Sequence, residues 1–187
     1  MAGPLSADRL LAMKNGYIVS KREGMTTMAL APEGLPARKG PRPKTIAGPL
    51  HIQCNGHGDT KYLNRLLNDV LSWPYVEPAP PASRSSTIPI RLTEGAIGSD
   101  SSAFLSVREF ARVLLGAPTI ILALPLICAH SAIVRGWAEP HYLRSFGLMP
   151  PGAVLVYTPK NREDLAVCYA LFSESYHFAC GSVIRPV

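Results

Sequence analysis

Twenty-two consecutive residues, Val113–Val134, contain no Asp, Glu, Lys or Arg, and Arg112 and Arg135 bracket them. By length and hydropathy such a run is a candidate membrane-spanning helix. Two prolines divide it, Pro118 and Pro125, with Gly116 ahead of the first. Proline removes a helical hydrogen bond and clashes with the preceding turn. A buried strand over Thr119–Leu124, then a turn and a buried helix, suits the pattern better. A membrane-associated protein using 113–134 is the alternative.

The net charge of +6 is unevenly placed. Residues 1–47 hold eight Lys/Arg and three Asp/Glu, and the rest holds eleven and ten. The body therefore lacks a basic stripe, and nucleic acid is not an expected partner. Residues 1–49, rich in proline, glycine and basic residues, read as a flexible arm. A short helix over Leu5–Ile18 is conceivable within it. Residues 50–187 read as a single domain. No signal peptide is visible at the N-terminus, so an intracellular place is expected. The four cysteines form no CxxC pair and are expected to be free thiols. His51, Cys54, His57 and Asp59 have a metal-like spacing on one glycine-rich loop. Without a second matched ligand pair no metal is expected, and the loop reads as a polar turn before a helix.

That helix carries Leu63, Leu66, Leu67, Val70 and Leu71 on one face, with Asp59 or Thr60 as N-cap and Pro74 as terminator. Thr87–Leu92 alternates as a strand, with Pro89 marking an edge or a bulge. Ser106–Leu115 is ambiguous: Ser106 and Glu109 form a capping-box pattern, yet Phe110, Arg112 and Leu114 alternate. His130–Trp137 reads as a short helix broken by Pro140. Ala153–Tyr157 reads as a central strand, and Asn161 caps a last helix that Gly181 ends.

Arg108-Glu109-Phe110-Ala111, Thr119–Leu124, Gly136-Trp137 with His141-Tyr142-Leu143, and Tyr157-Thr158-Pro159-Lys160-Asn161-Arg162-Glu163 occur in that order. As an ordered set they resemble the fungal luciferase family, from about residue 85 to 181. Local evidence over Ser106–Leu115 favours a helix, whereas the resemblance implies a strand hairpin through 108–124. It gives an α+β domain, with a small mixed or mostly antiparallel sheet of three or four strands against about three helices.

The family's luminescent members oxidise a styryl-pyrone, 3-hydroxyhispidin, with molecular oxygen. The resemblance thus implies a monooxygenase-like chemistry without a metal or organic cofactor and a small apolar aromatic ligand. Where the luminescent pattern has histidines, this chain has Arg112, Leu114 and Ile121. The candidate catalytic residues are His141, His130 and Arg112, since enolate chemistry needs proton transfer and N–H donors. The candidate substrate-binding residues are Trp137, Tyr157 and Glu139. Each has a plainer role beside it: His141 as a helix cap, His130 as a half-buried polar residue, Arg112 as a surface charge, Trp137 in the core, Tyr157 as a strand end. A non-catalytic binding member of the same fold is the second reading.

Overall fold

The computed structural model describes residues 12–14, 17–22, 25–30, 34–79, 86–96 and 100–181. Three strands near the N-terminus, β1 (Ala12–Lys14), β2 (Tyr17–Arg22) and β3 (Met25–Leu30), pair as an antiparallel sheet. This corrects the helix expected over Leu5–Ile18 for the part of it that is described. Two short strands follow, β4 (Thr45–Ile46) and β5 (Ile52–Gln53), paired as a hairpin. Helix α1 (Thr60–Leu71) comes next, with the Asp59 carboxylate accepting from the Lys61 N–H at its start. Its buried residues are Leu63, Leu66, Leu67 and Val70, the apolar face read from the sequence.

The main sheet has six strands in the order β10-β11-β9-β8-β7-β6, all antiparallel. They are β6 (Val76–Pro78), β7 (Thr87–Leu92), β8 (Glu109–Leu114), β9 (Thr119–Ala123), β10 (Ala138–Pro140) and β11 (Ala153–Val156). Six strands exceed the three or four expected, because β6 and β10 are three-residue edge strands too short to leave a sequence pattern. Pro89 is not on an edge, since β7 lies between β6 and β8. A register shift between Ile90 and Arg91 gives the irregularity that the proline announced.

Over Ser106–Leu115 the capping-box pattern gives way to a strand. The Glu109 N–H donates to the Ser106 carbonyl in a tight turn, and the chain then enters β8. Pairing on both sides, with Phe110, Ala111, Val113 and Leu114 buried, outweighs local helix preference. The apolar run 113–134 is split between the end of β8, strand β9 and helix α2 (Leu126–Val134). Among the described residues no helix is long and apolar enough to cross a membrane. Helix α2 starts four residues earlier than expected, directly after Pro125, and Trp137 lies beyond its end. The last helix, α3 (Arg162–Ala179), is capped by the Asn161 side chain and followed by Gly181 at φ 72°.

The fold is therefore α+β. One face of the sheet, with Ile120, Leu122, Val154 and Val156, packs on Leu66 and Val70 of α1, Cys128 and Ala132 of α2, and Leu171 and Phe172 of α3. Each such Leu, Val or Phe contributes about 1.5–3 kcal/mol by burial. The opposite face holds a smaller cluster, Leu105, Leu114, Ile121, Ala123 and Ala153, with Ile52 and Met149 against it. Among the described residues none of the three α-helices covers that face. It is covered by the β4–β5 hairpin and the 141–149 segment.

Residues 35–46, within the stretch read as an arm, also lie on the domain. Leu35 is buried, the Arg38 N–H donates to the Arg135 carbonyl at 2.8 Å, and the Trp137 indole N–H donates to the Pro36 carbonyl at 2.6 Å.

Candidate functional site

Directly opposed residues of antiparallel strands share a face, as do residues two apart on one strand. Arg112 opposes Ile121, Ile121 opposes Leu155, and Leu155 opposes Glu139. Leu114 lies two residues from Arg112. The three positions where the resemblance expects histidine, Arg112, Leu114 and Ile121, thus share the helix-free face with Glu139. The ladder continues past β10, where the His141 N–H donates to the Ala153 carbonyl at 3.1 Å. His141 therefore stands over the two small side chains of that face, Ala153 and Ala123.

Glu139 is the hub. Its Oε1 accepts from the Thr45 hydroxyl at 2.5 Å and faces His51 Nε2 at 2.7 Å, while its Oε2 accepts from the Tyr157 hydroxyl at 2.9 Å. A carboxylate has about four acceptor positions, so one is left. His51 is 4% exposed. The Tyr142 N–H donates to its Nδ1 at 3.1 Å, so the neutral ring carries its proton on Nε2 and gives it to Glu139. His51 also adopts φ 42°, a left-handed conformation that costs about 1–3 kcal/mol for a non-glycine residue. Such strain persists where surrounding contacts hold it, and the His51 N–H donates to the Gly48 carbonyl at 3.0 Å in a local turn. Burial and the Glu139 carboxylate raise the Tyr157 pKa far above its ordinary value, so the phenol stays protonated as a donor.

His141 is 1% exposed, and its ring meets that of His51 edge-on with centroids 5.1 Å apart. The Leu143 N–H donates to its Nδ1 at 3.2 Å, which puts the proton of the neutral ring on Nε2. That Nε2 is buried and has no hydrogen-bond partner. Burial, with nearby His51 and the Arg112 charge, lowers the His141 pKa to about 4. At neutral pH it is an uncharged ring presenting an unused N–H. An orphaned buried donor costs about 1–3 kcal/mol, which an acceptor placed there would recover. The cap expected of His141 is also present, since its Nδ1 caps the short 3-10 turn Tyr142–Phe146.

The other candidates are distributed unevenly. Trp137 is buried beside the site, and the Arg38 guanidinium lies over its ring at 5.8 Å and over that of Tyr157 at 5.5 Å. Arg112 faces the site side of the sheet but is held in a two-pronged pair with Glu109, at 2.6 and 2.8 Å. His130 lies on the exposed side of α2, away from this constellation. His51 and Thr45 are the residues that sequence reasoning missed as site members. Their partner Glu139 is 88 and 94 residues away, and no local spacing reveals that contact. Among the described residues no group of three His, Cys, Asp or Glu is arranged to hold a metal ion.

No curated protein and no solved structure matches the chain. Residues 109–175, from the start of β8 into α3, match the family model described as Luciferase domain, so this segment of the chain is similar to that family.

Proposed function

We propose that this protein is a luciferase-like oxygenase of an enolisable pyrone or electron-rich aromatic, working with molecular oxygen and no metal or organic cofactor. The observation that carries the proposal is the unpartnered, buried Nε2–H of His141 near the Glu139–His51 pair. In this reading His141, a candidate catalytic residue from the sequence, is a donor, because its free nitrogen bears the proton. It donates to the oxygen of the forming enolate, the role of a preorganised oxyanion donor. The fourth acceptor position of Glu139 takes the enol proton. The enolate's carbon then supplies the electron pair to oxygen, forming a C–O bond. The resulting peroxide closes on the lactone carbonyl as the ring C–O bond opens; its O–O bond and the adjacent C–C bond then break to release carbon dioxide, and Glu139 returns its proton to the ring-opened oxygen.

The test is oxygen uptake by the purified chain with 3-hydroxyhispidin in the presence of a chelator and no added flavin. Uptake is expected, falling about 100-fold or more in Glu139→Gln and in His141→Ala. A second reading is a binding protein without turnover. It draws on Arg112, Leu114 and Ile121 standing on that same sheet face, where the resemblance expects proton-transfer groups. It predicts saturable quenching of Trp137 fluorescence by the pyrone with no oxygen uptake.

A further inference from the structure

His141 presents its free N–H from a position that is 1% exposed, so no ligand reaches it while the cover stays closed. The cover nearest it is the β4–β5 hairpin, which brings the His51 ring against the His141 ring and Ile52 against the small cluster on that face. The hairpin is firmly rooted at one end. The Cys54 N–H donates to the Lys44 carbonyl, the Lys44 N–H to the Asn55 side chain, and buried Gln53 bonds to both Thr119 and Thr158. Beyond that root its strands have two residues each, and the tip exposes Ile46 and Leu50. The outer part is tied to the body through Thr45 and His51, both on Glu139, and through the Tyr142 N–H on His51. Within the hairpin the His51 N–H donates to the Gly48 carbonyl at 3.0 Å, so the loop keeps its own turn.

We infer that residues 45–52 are a gate over the site and that Glu139 is its latch. This rests on the reading of Glu139 and His141 as the ligand-facing pair. Opening about the Lys44–Cys54 root carries the His51 ring away and uncovers the His141 N–H. Closing returns Thr45 and His51, as positioning residues, to Oε1 of Glu139 and leaves its last acceptor position for the substrate.

Thr45→Val tests the latch in the full chain without ligand, since it removes one hydroxyl donor and keeps the side-chain shape. The Tyr142 amide is the reporter, because its partner His51 belongs to the gate while Tyr142 belongs to the body. Hydrogen exchange at the Tyr142 amide is expected to rise roughly ten- to a hundred-fold in Thr45→Val, as loss of one hydrogen bond to a charged group predicts, whereas the His51 amide, which donates to the Gly48 carbonyl within the gate, is not a reporter. The Ile121 amide in β9 is expected to be unchanged, and Thr45→Ser to exchange like the wild type. Acylation of His141 by diethyl pyrocarbonate, mapped by mass spectrometry, should accelerate in parallel. A wild-type rate at Tyr142 in Thr45→Val, acceleration shared equally by Ile121, or unchanged acylation of His141 would each overturn the gate. Because no pyrone is present, failure of the protein to oxidise 3-hydroxyhispidin bears on the proposed function and not on this result.

Discussion

His141 carries the site's most testable property at the scale of a single residue. Its pKa is about 4 in the folded chain against 6.5 for an ordinary histidine, chiefly because a charged ring is poorly solvated there. The unfolded chain therefore binds the proton first as the solution is acidified. The stability linked to His141 is complete above pH 6.5, declines as the pH falls, and is lost once the pH passes below about 4. Its size is about 3 kcal/mol, from a difference of two to three pH units. Denaturant titrations of wild type and His141→Gln between pH 7 and pH 4 should show the wild type losing this extra amount. Equal pH dependence in the two proteins would show that His141 titrates normally. The sequence made His141 conspicuous through its place after Gly136-Trp137. The local bond from the Leu143 amide matches the cap expected of it, but the rest of the role was hidden, because the state of the ring also depends on burial under His51, far away in the chain.

The elements themselves were mostly legible. Helix α1 and the start of α3 follow from apolar spacing and from Asp59 and Asn161 as caps, signals contained within a few residues. Strands β4, β5, β6 and β10 were not legible, since two or three residues show no periodicity and pair only because their neighbours are already placed. Strand β8 shows local and tertiary preferences in conflict, with pairing to β7 and β9 deciding the outcome. The turn before β11 is equally dependent on its partner. A Cβ on Gly152 would lie 1.8 Å from the Leu124 carbonyl oxygen, where strand β9 ends, whereas one on Gly95 meets nothing within 4 Å. Gly152→Ala should therefore destabilise the protein by about 3 kcal/mol or more, since the obstacle is backbone and cannot rotate away. Gly95→Ala should stay within about 0.5 kcal/mol. Thermal melts of the two variants measure the contrast, and equal melting temperatures would mean that the β9–β11 connection yields more easily than its geometry indicates.

For the whole molecule, the sheet separates two tasks. One face meets the three helices and supplies the main core. The other gathers Thr45 and His51 from the hairpin, Glu139 and His141 from the edge of the sheet, and Tyr157 from the end of β11. The matched segment 109–175 supplies only the last three of these, so the hairpin that completes the cluster lies outside it. A sequence pattern confined to the second half of the chain could not have shown that dependence. The most direct test is the footprint of 3-hydroxyhispidin on backbone amide chemical shifts of the isotopically labelled chain. Shifts concentrated at residues 45–52, 137–143 and 155–158, with α1 and the outer side of α2 unaffected, are the expected result. Shifts concentrated on the helices, or none at saturating pyrone, would contradict a ligand site on the helix-free face of the sheet.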